Sequence, residues 1–371
     1  NCTYYKDLFD QNSIKPDEIK TINDLYKIPP LTKELIKANY EKIIPKNLKK
    51  LNYKYSSTGG TSGVPMKFLL DRDSWSAFNA FGILSWEKTG YLYGERFVAL
   101  GSSSIFPTGK TPFYHKIYYW IKGKITLDAI NLSQEKMDYY VDFIRDNHIN
   151  YLYGYASSIF IFAKHIENNS LQNSIRIKIC FTTSELLTDE YRACILRVFG
   201  CKILDCYGAS DGALVGYKFE DSGFCVGYNS IAQLANSSLI SGSVYVTDLN
   251  NYSFPFIRYS LGDEVELAKE EVDYHNSQVI KRVLGRTSDI IELENGKSLT
   301  AVGFTILFKD MPVKAYRVFK SDILELTVLI VKDINFVNDH ETLVRNFMQN
   351  QSGVDCNIKI EYINNILQSE N

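Results

Sequence analysis

The chain has 371 residues, long enough for a sizeable interior and for one large domain with a smaller companion. Its 41 Lys plus Arg against 43 Asp plus Glu leave a net charge of −2, which excludes a general electrostatic pull toward nucleic acid or an anionic membrane, so any anion it binds must be held locally. Hydrophobic residues at 45% and charged residues at 23% are those of an ordinary globular protein, and no apolar run approaches the roughly 20 residues that span a bilayer, so no membrane insertion is expected.

In chain order, the first segment that stands out is YSSTGGTSGVP at 55–65, whose residues 56–63 are all Ser, Thr or Gly. It is either a slack linker or a nest of backbone N–H groups and hydroxyls for an anion. It is followed at once by VPMKFLL, a strand candidate, and it lacks the Gly-Lys-Ser/Thr of a Walker A loop.

Met137, Tyr140, Val141 and Ile144 repeat at helical spacing, with Asn131 and Gln134 as the expected capping pair. Tyr191, Cys194, Ile195 and Val198 repeat it again, opened by Thr188 and Asp189 and closed by Gly200. Short apolar strands follow the two helices, at 149–154 and 201–208, which indicates βαβ units and a mostly parallel sheet. Sheets of this kind bind ligands beyond the carboxyl ends of their strands.

After about residue 240 the pattern changes to short strands, GSVYVTDL, FPFIRYSL, DEVEL, VIKRVLG and DIIELENGK, separated by Asn-Asn, Gly-Asp, Gly-Arg and Asn-Gly turns, as in antiparallel structure. A smaller unit closes the chain, with strands near 315–331, a helix near 339–349 and a strand near 356–362. The expected domains are 1–288 and 289–371. The seven cysteines form no CxxC pair and none of the five histidines sits at ligand spacing from them, so they read as buried small hydrophobes in a reducing cytoplasm.

Three further loops have the residue types for chemistry. YGASDG at 207–212 follows a strand and offers an aromatic ring and a carboxylate, or a plain tight turn. In LGD at 261–263, Asp263 is either an acceptor for sugar hydroxyls or the end of a hairpin turn. In GRTSD at 285–289, Arg286 is a phosphate or ribose donor, or a surface cation.

Taken together and in order, SSTGGTSGVP, TTSELLTDEYR, LDCYGASDG, RYSLGDEVEL and LGRTSDII resemble the adenylate-forming superfamily, in particular its phenylacetate–CoA ligase and CapK-like capsular polysaccharide branch. The likeness runs from YYKDLF at 4–9 through residue 303. It implies an α/β fold, with a large N-terminal domain of mostly parallel layered sheets and a β-rich sub-lobe, and a small mobile C-terminal α+β domain. It also implies that a carboxylic acid is activated with ATP and Mg²⁺ as an acyl-adenylate, pyrophosphate is released, and the acyl group passes to CoA, a carrier-protein thiol or an amine such as an amino sugar. No Ser-His-Asp triad is required, because the substrate carboxylate is itself the nucleophile.

By the same resemblance Thr58, Gly59, Gly60, Thr61, Ser62 and Gly63 form the phosphate loop, with Thr61 and Arg286 making the catalytic contacts. Ser184, Glu185 and Leu186 border the adenine, with Tyr207 on its other face and Gly208, Ala209 and Ser210 alongside. Asp263 binds the ribose, Arg286 the ribose or phosphates, and Asp289 falls at the hinge. Asp211 stands where relatives carry Glu for magnesium, one methylene shorter. Tyr155 and Ser157 lie near the acid. A Gly-Lys lysine near the end of relatives has no counterpart here. Lys359 is the last lysine and the chain stops at SEN, so a trimmed end is the expectation and loss of the residue the alternative. The second reading is a degenerate member that binds nucleotide or acid without turnover.

Overall fold

The structure is a computed structural model and describes residues 1–57, 66–101, 113–129, 132–219, 222–268, 278–283, 290–293, 298–300, 304, 307–308, 311–322, 325–352 and 356–364. An N-terminal arm of α1 (Thr3–Gln11) and α2 (Lys33–Ile43) leads to the hairpin β1 (Tyr53–Ser57) and β2 (Lys67–Asp71), then to α3 (Arg72–Glu87) and β3 (Phe97–Gly101). There follow α4 (Phe113–Ile121), β4 (Lys124–Asp128), α5 (Gln134–Asp146), β5 (Tyr151–Tyr155), α6 (Ala156–Asn168), β6 (Ile179–Thr183), α7 (Asp189–Phe199) and β7 (Lys202–Ala209). The alternation of strand and helix is the one read from the periodicity.

Both helices expected from period are present, with Met137, Tyr140, Val141 and Ile144 buried on α5 and Tyr191, Cys194, Ile195 and Val198 buried on α7. Thr188 caps α7, accepting from Tyr191 N–H, and Gly200 closes it at φ 57°, where a side chain would be strained. The opening of α5 differs from expectation. Ser133, not Asn131 with Gln134, is its cap and accepts from Lys136 N–H. Asn131 lies outside the described residues.

Beyond β7 come β8 (Leu214–Phe219), β9 (Phe224–Val226), β10 (Ser230–Gln233), β11 (Ser241–Asp248), β12 (Tyr259–Leu267) and β13 (Val279–Val283). Among the described residues these join the earlier strands in one eleven-stranded sheet, ordered β10-β11-β12-β13-β9-β8-β7-β6-β5-β3-β4. It is parallel from β4 to β7 and antiparallel from β7 to β10, so the β-rich part continues the parallel sheet without a break.

One turn read from sequence is not a turn. Gly262 and Asp263 sit inside β12, opposite an irregularity in β11 between Ser243 and Tyr245, with Gly262 at φ 80°. The glycine permits a bulge that a hairpin turn would also have called for. Residues 254–258, expected to be strand, precede β12 without joining it.

The C-terminal part holds β14 (Ile290–Glu292), β15 (Ser298–Thr300), β16 (Val313–Asp322), β17 (Glu325–Lys332), α8 (Asn338–Ser352) and β18 (Asn357–Tyr362). β17 pairs antiparallel with β16 and parallel with β18, and a separate core around Leu326, Val328, Ile330, Val344 and Met348 lies beneath them. The expected division at residues 288 and 289 falls in 284–289, outside the described residues. All seven cysteines are free thiols, and no helix of the described residues is long and apolar enough to cross a membrane.

Candidate functional site

A cleft opens at the carboxyl ends of β6 and β7, lined by Ser184, Glu185, Leu186, Tyr207, Gly208 and Asp263 from the expected set. Asp205, Cys206, Phe224 and Val283 complete it, none of them singled out from sequence. Ser184 follows β6 at φ 66°, a left-handed conformation that is costly for a residue with a Cβ and is found where a site demands it.

Asp263 is brought here by curvature. In the sheet β12 lies four strand steps from β7, roughly 19 Å if flat, yet the Tyr207 hydroxyl donates to Asp263 Oδ2 at 2.8 Å. The antiparallel half therefore curls round the core of Leu214, Phe224, Val244, Val246 and Tyr259, returning β12 to the mouth of β7. The tyrosine holds the carboxylate in place. An ionised carboxylate has room for about four hydrogen bonds, so a vicinal diol can share it. Leu186, Phe224 and Val283 supply apolar walls for a planar base.

Glu185 is held from behind by α6. Its Oε2 accepts the Ser157 N–H at 2.9 Å, in the first turn of that helix, where the aligned peptide dipoles favour negative charge. Its Oε1 and the Ser157 Oγ are buried and make no hydrogen bond among the described residues. Burial pushes the Glu185 carboxyl above the usual carboxylate range, against the opposing pull of Ser157. Tyr155, the last residue of β5, is also buried, and neither it nor Ser157 lines the cleft.

The remaining expectations divide. Ala209 ends β7 and packs on the core, Ser210 follows it, and neither lines the cleft. Asp211, in the turn after β7, is buried and its Oδ2 accepts the Tyr259 hydroxyl at 2.9 Å. No group of three or more His, Cys, Asp or Glu among the described residues forms a metal cage. A single oriented carboxylate nevertheless suits magnesium that arrives on substrate phosphates, since that ion keeps few protein ligands. Thr58, Gly59, Gly60, Thr61, Ser62, Gly63, Arg286 and Asp289 lie outside the described residues.

The hairpin whose strands flank residues 58–65 is anchored by a buried network invisible to motif reading. Asp71 accepts from Ser253 N–H and hydroxyl, Asn251 receives Asp71 N–H and donates to Leu69 O, and Ser74 donates to Asp248. The signal was present as Asn-Asn at 250–251, but it read only as a turn.

The fold is shared with a solved CoA ligase. 2-Hydroxyisobutyryl-CoA ligase, solved with 2-HIB-AMP and CoA in the thioesterification state, superposes at a TM-score of 0.63 with 15% identity, covering 99% of this chain and 83% of that one. Its open conformation gives 0.60 at 14% identity, over 100% and 85%. Residues 291–371 match the family described as the CapK C-terminal domain. The chain is 26% identical to Protein CapK of Staphylococcus aureus over 376 residues, 99% of this chain and 82% of that protein. The chain is thus similar in sequence to CapK over nearly its whole length, and in fold to 2-hydroxyisobutyryl-CoA ligase.

Proposed function

We propose that the protein activates a carboxylic acid with ATP and then passes the acyl group on. A carboxylate oxygen attacks the α-phosphorus, the new O–P bond forms as the bond to pyrophosphate breaks, and the acyl-adenylate stays bound. A thiol or amine then attacks the acyl carbonyl and AMP leaves, the acceptor's proton passing to solvent. CoA, a carrier thiol and an amino sugar are the acceptors this reading admits, with polysaccharide biosynthesis as the setting.

The observation that carries this reading is the convergence of Ser184, Glu185, Leu186, Tyr207, Gly208 and Asp263, from three separate stretches of chain, on one cleft of the adenylate-forming fold. In it the base lies between Leu186, Phe224, Val283 and the Tyr207 ring, and the ribose diol meets Asp263. Asp211 contributes one carboxylate to the magnesium that ATP brings. Thr58–Gly63, with Thr61, and Arg286 supply donors to the phosphates, and Asp289 is the hinge of a mobile C-terminal domain. Because the substrate is the nucleophile, the protein aligns two anions and stabilises the charge that spreads over the phosphoryl oxygens.

ATP–pyrophosphate exchange with a panel of aryl, fatty, amino and hydroxy acids tests the reading. Exchange should depend on one class of acid, and Asp211→Ala should abolish it in magnesium while circular dichroism shows an intact fold. Exchange unchanged in that variant removes Asp211 from the site, and tight ATP binding without exchange for any acid favours the binding-only reading.

A further inference from the structure

Where the parallel strands end, one level of the sheet carries an unbroken row of O–H and S–H groups. β5 sets Tyr155 beside Thr183 of β6, and the β6–β7 pairing of Thr182 with Asp205 puts Cys206 next in line. β8 places Tyr217 directly opposite Cys206, and β9 places Cys225 opposite Tyr217. Laterally paired residues share a face, so these side chains project together.

The level two residues earlier is a contrast. Tyr153, Phe181, Leu204 and Phe219 lie side by side there, and Trp86 of α3 stacks on Phe181 at 3.9 Å, an apolar seal. The row above it faces the same helix, since the Phe81 ring lies 5.8 Å from that of Tyr217. Thr183, Cys206 and Tyr217 are only partly covered, and Cys206 lines the cleft beside Tyr207.

Resting on the adenylation reading, we infer that Thr183, Cys206 and Tyr217 floor the subsite for the tail of the acid, and that this acid is short and carries a hydroxyl or amino group. The strand register sets Thr183 on one side of Cys206 and Tyr217 on the other. Hydroxyl and thiol groups along such a face offer donors and acceptors that a polar substituent can match and a hydrocarbon cannot. A tail that leaves such groups dry and unmatched is rejected, the basis of strong discrimination by hydrogen-bonding sites.

The floor is also short. A methyl group at Gly82 of α3 would sit 2.7 Å from the Tyr217 hydroxyl, so the helix backs directly onto Tyr217 and closes the floor on that side. Cys206 is a hydrogen-bonding group here, not an acyl acceptor. Burial pushes its thiol up to about 12, and the nucleophilic form is the thiolate.

The test is exchange by the whole chain with length-matched acids: plain, 2- or 3-hydroxy, amino, and long-chain. The substituted short acids should exceed the plain ones in kcat/KM on the order of 100-fold. Tyr217→Phe and Thr183→Val, both folded by circular dichroism, should each narrow that ratio about tenfold without moving the KM for ATP. Preference for plain or long acids, or a ratio unmoved in both variants, overturns the tail assignment while leaving adenylation standing. No exchange with any acid, despite bound ATP, overturns both.

Discussion

Asp205 shows how a residue given no role within its motif shapes the site. It sits mid-strand in LDCYG, nearly out of solvent, with Oδ1 accepting the Thr182 hydroxyl at 2.6 Å and its side chain on the cleft wall. Burial raises its pKa, and the opposing pull of Thr182, Arg192 and Lys218 does not cancel that rise. A carboxyl whose folded pKa lies above its unfolded value of about 3.9 holds its proton more tightly when folded, so stability is greatest in acid and falls as pH climbs through that interval. Asp205→Asn keeps an oxygen for Thr182 and removes the charge. It should therefore melt a few degrees above the parent at neutral pH, with the gain vanishing toward about pH 4 in thermal melts followed by circular dichroism. An equal Tm at every pH would mean that the ionised carboxylate carries no cost. Nothing in the sequence marks this residue, because Thr182 lies on a different strand and only the β6–β7 register brings the two together.

Elements were legible in proportion to how local their determinants are. α7 has its cap, its periodic face and its terminating glycine within a dozen residues, and all three are where the sequence puts them. α5 has the same periodic face, but its cap is Ser133, two residues beyond the Asn131 that the sequence reading chose. β12 could not be read locally, because a glycine before an aspartate serves a turn and a bulge equally, and β11 decides which. The two ends of α7 allow a quantitative check. Thr188→Ala removes the acceptor for Tyr191 N–H, and Gly200→Ala forces a Cβ into the left-handed region, each costing about 1 kcal/mol. The ends are roughly 16 Å apart, so the double variant should lose about 2 kcal/mol in urea unfolding, the plain sum. A total well short of the sum would mean that the helix opens as a unit once either end is lost.

At the scale of the whole molecule, the N-terminal arm and β12 are tied by one buried cation. The guanidinium of Arg258 donates to the carbonyls of Tyr26, Ile28 and Ala235, and lies against the rings of Tyr26 and Tyr245. Its own carbonyl accepts Leu31 N–H, and Leu31 pairs with Tyr259. The next residues of that strand are the ones the site uses, since Tyr259 holds Asp211 and Asp263 meets Tyr207. This arginine was visible only as part of RYSLGDEVEL, because two of its three carbonyl partners lie more than 200 residues earlier and all three are backbone atoms with no side-chain signature. Arg258→Met fills the space but takes the donor from the buried Ile28 carbonyl and from the part-buried carbonyls of Tyr26 and Ala235, a loss on the order of 2 kcal/mol. Arg258→Lys keeps the charge without the planar fork and should lose less. If the arginine is a tether, Arg258→Met should also expose residues 20–31 to early proteolysis and weaken ATP binding, whereas Asp205→Asn leaves that segment protected. Unfolding and proteolysis both unchanged in Arg258→Met would show that the arm docks through its apolar contacts alone, with Leu31 and Ile36 in the shared core carrying it.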